Sequence, residues 1–318
     1  MNYLIKRILI SLPTLLAISV VIFFILALAP GDPLSEFGSN PNITAEIREN
    51  IRKSLGLDQP IYVRYFKWLG AFFRGDLGYS FNSRSPVIDL IWQRLPNTLM
   101  IVGIAYLISI IIAIPMGLIS AVKRYSLLDN ILTSIALFGY SIPPFFTGLL
   151  LIIIFSVKLK WLPFIYDSNL IVTDFTSFLA QIKQSIMPII VLSLYQTAVL
   201  MRFMRSSVTE ELSHDYVRTA YSKGLNTYQV VVKHILRNAL IPVVTLIALD
   251  IPSIFTGALV TEQIFRIPGI GALLIESIYR SDTPVVMAIA MIYGILIVIF
   301  NLIADLSYSW LDPRVTIN

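Results

Sequence analysis

The chain has 318 residues, of which 56% are hydrophobic and 14% charged, whereas a soluble domain carries about 25% charged residues; together with a mean hydropathy of +0.78, this composition excludes a soluble enzyme. The absence of cysteine and the presence of only two histidines exclude disulfides, Cys-ligated metals and a zinc or haem site built from histidine alone. The formal charge of +5 is explained more simply by a cytoplasmic excess of Lys and Arg than by nucleic-acid binding.

Six apolar segments are long enough to cross a bilayer, whose hydrocarbon core of about 30 Å needs roughly 20 helical residues. We predict an all-α membrane protein with spanning helices over 8–29, 97–122, 130–157, 184–202, 239–260 and 283–304. The first span resembles a cleaved signal peptide in its basic start and in Ala27-Leu28-Ala29. Its apolar core is longer than the usual roughly 7–15 residues, which favours an uncleaved anchor.

The basic residues of the short loops indicate the orientation. One side of a six-span chain holds Lys6, Arg7, Lys123, Arg124, Arg202, Arg205, Arg218, Lys223, Lys233, Arg237 and Arg314. The short loops of the other side hold only Lys158, Lys160, Lys183, Arg266 and Arg280. We therefore expect both terminal segments, 1–7 and 305–318, to be cytoplasmic.

The first external segment, 30–96, carries signals of short helices. Asp58 before Pro60 and Ser85 before Pro86 are each typical of a polar cap followed by proline at a helix start, and Gly75 is typical of a helix end. We expect these helices to lie on the outer face of the membrane. Their aromatic residues serve packing and interfacial anchoring, or dock an external partner.

The second external segment, 261–282, contains Glu262, Arg266 and the turn from Pro268 to Gly271. We consider two roles for them. They contact an external protein or form an outer gate, or they simply form the turn.

The cytoplasmic segment 203–238 is polar and basic, yet it carries the signals of two ordered helices. Ser213 can cap a first helix that Gly224 ends in a left-handed turn, and Asn226 with Gln229 resembles a capping box that opens a second helix. A DNA-binding helix-turn-helix shares this outline, but its tethering between two spans would hold it against the bilayer. A solvated basic loop is the simpler alternative, which the defined caps and an apolar stripe disfavour.

Two features lie within the spans. Asp250 interrupts the fifth span, where its insertion cost of about 2.5–3.5 kcal/mol is offset by the surrounding apolar residues. An acid at this depth faces a cavity or a partner, or it bonds a neighbouring helix; our hypothesis is that it faces the pathway and favours cationic solutes such as a peptide amino terminus. In the third span, Ser141, Pro143 and Pro144 mark a break that shapes packing or acts as a gate hinge.

Ten sequence motifs in order along the chain resemble one family, the permease subunits of bacterial ATP-binding-cassette (ABC) importers of the dipeptide, oligopeptide and nickel type. The motifs are Ala29-Pro30-Gly31-Asp32-Pro33, Gly56-Leu57-Asp58-Gln59-Pro60, Gly75-Asp76-Leu77-Gly78-Tyr79-Ser80, Arg94-Leu95-Pro96-Asn97-Thr98-Leu99, Ser141-Ile142-Pro143-Pro144-Phe145, Asp215-Tyr216-Val217-Arg218-Thr219-Ala220, Lys223-Gly224-Leu225, Leu236-Arg237-Asn238-Ala239 with His234, Pro268-Gly269-Ile270-Gly271, and Leu311-Asp312-Pro313-Arg314. Their order and spacing carry the specificity, because each motif alone is weak. The resemblance implies the fold of a type I ABC importer permease, with the ABC transmembrane type-1 domain over about 95–305.

The resemblance also implies that 203–238 is the family's cytoplasmic coupling loop, whose first helix seats in a groove of the ATPase subunit. The residues assigned to this loop are Asp215, Tyr216, Val217, Arg218, Ala220, Lys223, Gly224, Leu225, His234, Arg237 and Asn238. Arg218 and Thr219 stand where glutamate and alanine are typical of importers in general, as is usual in the peptide branch, while Tyr221-Ser222 departs from that branch's Arg-Ala.

The energy source implied by the resemblance lies on other chains. No GxxxxGK[ST] phosphate loop occurs, so we expect no cofactor on this chain and ATP with Mg²⁺ on two ATPase subunits. The expected partners are a second, similar permease in a heterodimer and an extracytoplasmic solute-binding protein, in the cytoplasmic membrane of a bacterium or archaeon. An ion-coupled secondary transporter or channel is the alternative, although it usually needs more mid-membrane acids and histidines than Asp250.

Overall fold

The computed structural model describes the backbone of residues 2–28, 46, 49, 52–53 and 56–311, and the side chains of these residues except 2–8, 253–257 and 305–311. The predicted Ala29 to Pro33 motif, most of 30–55 and the last residues including Arg314 lie outside the described residues. In the described part the chain is helical apart from connecting turns and an isolated bridge between Tyr79 and Pro86.

Eleven α-helices account for most of the described residues. They are α1 (Asn2–Leu28), α2 (Ile61–Phe73), α3 (Val87–Val122), α4 (Leu127–Ser141), α5 (Pro144–Leu151), α6 (Phe175–Glu211), α7 (Asp215–Ser222), α8 (Thr227–Val230), α9 (Leu236–Phe265), α10 (Ile270–Tyr279) and α11 (Thr283–Leu311). Two π-helical segments join neighbours, Ile152–Lys158 after α5 and Val231–Ile235 between α8 and α9.

Among the described residues, five helices are long and apolar enough to cross a membrane. They are Leu9–Leu28, Val87–Val122, Phe175–Glu211, Thr227–Pro252 and Thr283–Ala304. Two bent pairs, Leu127–Ser141 with Pro144–Lys158 and Ala258–Phe265 with Ile270–Tyr279, raise the number to as many as seven. The predicted six spans fall within this range.

Several helices extend beyond the predicted spans, and the predicted break in the third span is a sharp bend. The predicted span 130–157 is two helices that meet at 97°, because Pro143 takes an extended conformation with ψ of 138° and Pro144 starts the next helix. The predicted spans 97–122 and 184–202 are parts of the longer helices α3 and α6, whose polar ends continue beyond the apolar core. The predicted loop 261–282 contains α10.

The helix starts predicted before α2 and α3 are also displaced. Pro60 is the residue before the first turn of α2, and no side chain caps that helix, so Asp58 does not act as predicted. Ser85 donates to the Ser83 carbonyl at 3.3 Å instead of capping α3. The end at Gly75 is confirmed: its φ is +80°, and the amides of Gly75 and Asp76 donate to the carbonyls of Phe72 and Ala71 at 3.0 Å.

The chain forms two compact units, Met1–Pro96 with Ala272–Ile299 and Asn97–Gly271 with Phe300–Asn318. In the first unit, Phe23 of α1, Tyr65 of α2 and Met287 of α11 are buried together, and Ser19 and Tyr65 share a hydrogen bond of 2.8 Å between their hydroxyls. Asp282 is buried and accepts from the Ser80 hydroxyl at 2.5 Å and from the Phe81 amide at 3.0 Å. That carboxylate therefore holds the turn between α2 and α3.

The second unit packs α3, α4, α6 and α9 around apolar side chains. At one end of α4, the buried carboxylate of Asp129 accepts hydrogen bonds from Nε and Nη2 of Arg205, both at 2.9 Å. Ser120, the Tyr125 amide and Thr133 donate to the same carboxylate. This network ties α3 and α4 to α6.

A small residue sets how closely α3 and α6 approach. A Cβ on Gly117 would lie 2.6 Å from Met204 Cβ and 2.8 Å from the Met201 carbonyl oxygen. We expect Gly117→Ala to lower the stability of the protein by about 1–3 kcal/mol, because the helices must move apart. Thermal unfolding in detergent measures this.

Gly103→Ala on the same helix is the matched control. No atom lies within 4 Å of a Cβ there, and alanine is the better helix former by about 1 kcal/mol. An unfolding midpoint for Gly117→Ala equal to that of Gly103→Ala would contradict the close approach.

Candidate functional site

The segment 203–238 is built as a short helix anchored on a buried core. Val217 and Ala220 of α7 are 2% and 5% exposed, and they pack with Val208 of α6 and with Val231 and Ile235 of the following π-helical segment. These two predicted site residues therefore hold α7 in place, and they do not face outward.

The end of α7 is a complete left-handed cap. Gly224 has φ of +81°, its amide donates to the Tyr221 carbonyl at 2.9 Å, and the Leu225 amide donates to the Ala220 carbonyl at 3.4 Å. This is the Schellman arrangement, and the half-buried Leu225 packs against the apolar cluster that contains Val217 and Ala220. The predicted left-handed conformation of Gly224 is confirmed.

The second predicted start is also confirmed, whereas the first is wrong. The side chain of Asn226 accepts from the Gln229 backbone amide at 2.9 Å, and the Asn226 backbone amide donates to the Gln229 side-chain oxygen at 3.2 Å, which makes a capping box. Helix α7 instead begins at Asp215, without a side-chain cap. Ser213 donates to the Glu210 carbonyl at 2.7 Å, so its hydroxyl closes the end of α6.

The hydroxyl of Tyr216 links α7 to α6 and to α9 through hydrogen bonds. Tyr216 donates to the carboxylate of Glu211 and accepts from Asn238 Nδ2 at 3.2 Å, while His214 stacks on its ring with centroids 5.9 Å apart. Burial, followed by the bond to Glu211, raises the pKa of Tyr216 to about 12, so the phenol stays protonated. Tyr216 and Asn238 were predicted as site residues, whereas Glu211 and His214 were not. Both of these lie just before the Asp215 to Ala220 motif, and no pattern in the sequence indicates their contact with Tyr216.

The side of α7 that faces away from the buried core is polar and exposed. Its exposed residues are Asp215, Arg218, Thr219 and Ser222, flanked by Tyr216 and Tyr221. Asp215 and Arg218 approach each other at 3.6 Å with 95% and 77% of their side chains exposed. Lys223, His234 and Arg237 are exposed as well.

The predicted residues of the spans lie in two places. At the sharp bend between α4 and α5, Ser141 and Pro143 are exposed and Pro144 is half-buried. Asp250 is half-buried and accepts from Gln196 Nε2 at 2.5 Å. This bond joins α9 to α6 within the second unit.

Glu262 is buried, at 2% exposure, so its side chain cannot be the predicted contact with an external protein. Thr98 donates to its carboxylate at 2.7 Å and accepts from the Ile270 amide at 2.8 Å. Asn97 donates to the Pro268 carbonyl at 3.0 Å. Thus the predicted turn from Pro268 to Gly271 is fastened to the Asn97-Thr98 motif, which supports the turn-forming alternative.

Two family models together match most of the chain. Residues 113–317 match the family described as "Binding-protein-dependent transport system inner membrane component", and residues 1–102 match its N-terminal companion. The chain is 42% identical over 314 residues to the oligopeptide transport system permease protein AppB of Bacillus subtilis, covering 98% of each chain.

Other relatives agree. The chain is 36% identical over 315 residues to the glutathione transport system permease protein GsiC of Escherichia coli K12, covering 99% of each. Its fold matches a solved structure titled "Crystal structure of an amino acid ABC transporter with histidines", with a TM-score of 0.51 at 16% identity, over 70% of this chain and 94% of that one.

Proposed function

Since the chain belongs to the inner membrane components of binding-protein-dependent transport systems, we propose that it forms half of an ATP-driven import pathway for di- or oligopeptides. Members of this family are multi-pass permeases of the cytoplasmic membrane, and they are not enzymes. The observation that carries the substrate class is the 42% identity to an oligopeptide permease over nearly the full length of both chains. Related small solutes such as glutathione fall within the same proposal.

We further propose that α7 is the element on which an ATPase subunit acts. Three observations support this: Val217 and Ala220 anchor the helix, the Tyr216 hydrogen bonds tie it to α6 and α9, and the Gly224 cap fixes its direction. A helix held in this way moves as a rigid body with the spans to which it is bonded, whereas a flexible loop would absorb the displacement. The exposed residues around Arg218 and Thr219 are then the contact surface.

The proposed assembly has two permeases, two ATPase subunits and an external solute-binding protein. The segment 203–238 and both termini lie on the cytoplasmic side in this arrangement, as the excess of Lys and Arg predicts. ATP and Mg²⁺ bind the ATPase subunits. The pathway runs between this chain and a second, similar permease.

The test is reconstitution with candidate partners encoded beside this chain. We expect peptide uptake into proteoliposomes to require the second permease, the ATPase subunits, the binding protein and hydrolysable ATP together. The control is the same membrane with a non-hydrolysable ATP analogue. Uptake by this chain alone, driven by a proton or sodium gradient, would contradict the proposal and support an ion-coupled transporter.

A further inference from the structure

Three polar side chains from three different helices meet in the second unit. Gln196 of α6 donates to Asp250 of α9 at 2.5 Å, and Tyr106 of α3 donates to the Ile247 carbonyl of α9 at 3.2 Å. The Tyr106 phenol thus meets α9 three residues before Asp250 in the chain. We call Tyr106, Gln196 and Asp250 the mid-span cluster.

The depth of the mid-span cluster makes its acid significant. Tyr106 and Gln196 lie in the central thirds of α3 and α6, and Asp250 lies in the central third of the helical stretch 227–265. Ionisable groups at mid-membrane are costly to insert and rare. Because an amide at position 250 would accept the same bond from Gln196, packing of α6 against α9 does not require a carboxylate.

The exposure of the mid-span cluster indicates what it faces. Gln196 and Tyr106 are 9% and 8% exposed, whereas Asp250 is only half-buried. A carboxylate open to hydrocarbon would be strongly unfavourable, so the open side of Asp250 faces water or another chain. The preceding residue, Leu249, is 48% exposed, and its apolar side chain points about 100° away around the helix axis, as lipid contact requires.

We propose that the mid-span cluster is the part of the pathway that receives the amino-terminal ammonium group of a passing peptide. The inference rests on the proposed function and extends it to a contact. An ammonium group has three donors and no acceptor, and the cluster offers it the Asp250 carboxylate with the Gln196 carbonyl oxygen and the Tyr106 hydroxyl as neutral acceptors. The amino terminus is the charged group common to peptides of any side-chain sequence, so one acid serves many substrates.

Accessibility provides the first test, because the chain contains no cysteine. In a complex with cysteine-free partners, Asp250→Cys should react with the cationic, water-soluble reagent 2-aminoethyl methanethiosulfonate. Saturating peptide-loaded binding protein with ATP should slow this reaction several-fold. Leu249→Cys is the matched control, and it should not react with the reagent. No reaction at position 250, an unchanged reaction rate in the presence of the peptide-loaded binding protein with ATP, or equal reactivity at both positions would overturn the proposal.

Charge provides the second test. Asp250→Asn keeps the acceptor for Gln196, so we expect normal assembly with at least a tenfold fall in peptide turnover. The double variant Asp250→Asn with Gln196→Glu places the carboxylate on α6 and the amide on α9. It should restore a substantial part of the peptide turnover. Unchanged uptake by the single variant, or no recovery in the double variant, would refute the ammonium contact.

Transport by the wild-type complex and by the Asp250→Asn complex separates the proposed function from the ammonium contact. If the wild-type complex does not import peptides at all, the proposed function is wrong. If the wild-type complex imports peptides and the Asp250→Asn complex does so equally well, the proposed function stands and only the contact is wrong.

Discussion

Replacing Gly224 by proline is expected to abolish ATP-dependent uptake while the protein still accumulates in the membrane. Proline fixes φ near −65°, whereas Gly224 requires +81°, and it removes the amide that donates to the Tyr221 carbonyl. The end of α7 is therefore lost, and with it the direction of the helix that we propose the ATPase subunit moves. Uptake and peptide-stimulated ATPase activity should both fall to background in the reconstituted complex. Insertion is set by the apolar spans, so the amount in the membrane fraction should not change.

A graded series at the same position separates backbone conformation from steric effects. No atom lies within 4 Å of a Cβ on Gly224, so alanine and asparagine both fit. Asparagine adopts the left-handed conformation readily, while it costs alanine about 1–2 kcal/mol. Transport should decrease in the order Gly, Asn, Ala, Pro. Full transport by Gly224→Pro, or by a chain lacking 216–224, would contradict the coupling role of α7.

Local signals in the sequence correctly predicted where α7 ends and where α8 begins. Gly224 and the pair Asn226 and Gln229 act through hydrogen bonds to backbone a few residues away, so their geometry is nearly independent of the rest of the chain. Ser213 failed as a cap because two neighbouring helix ends compete for its hydroxyl, and the carbonyl of Glu210 receives it. The capping box at Asp174 that opens α6 was missed, since its partner Ser177 is a less usual third residue.

Span bounds were less predictable because apolarity marks the hydrocarbon core and not the helix. Helix α6 continues to Glu211 through a basic stretch. In that stretch, Met204 and Val208 on the inner face of the helix are still fully buried. Helix α3 begins at Val87 and includes Arg94 and Pro96. The membership of the permease family and the all-α membrane fold were nonetheless predicted correctly, because many weak motifs in order constrain the family more than any one of them.

Polar pairs far apart in the sequence could not be predicted at all. Thr98 and Glu262 are 164 residues apart, and Arg205 and Asp129 are 76 apart. Only the fold brings such groups together, and each looks like an ordinary loop or span-end residue in the sequence. Asp250 could be singled out because its depth is visible in the sequence, but its partners Gln196 and Tyr106 could not.

Removing the positive charge from the Asp129 network is expected to cost more stability than any surface change in the second unit. In Arg205→Gln, the carboxylate of Asp129, with 3% of its side chain exposed, keeps its hydrogen bonds from Ser120, Thr133 and the Tyr125 amide. It loses its counter-charge, which for a buried pair costs about 3 kcal/mol. The thermal unfolding midpoint of the detergent-purified protein should fall clearly below that of the wild type.

Two further variants show whether the cost comes from the unpaired charge or from the missing contact. Asp129→Leu combined with Arg205→Met removes both charges, and it should recover much of the stability because no buried charge is left unpaired. Arg218→Gln breaks the exposed pair with Asp215, where solvent screens the attraction, and the midpoint should not move. If Arg205→Gln behaved like Arg218→Gln, Asp129 would be as well solvated as a surface acid, and the network could not be what fastens α4 to α6.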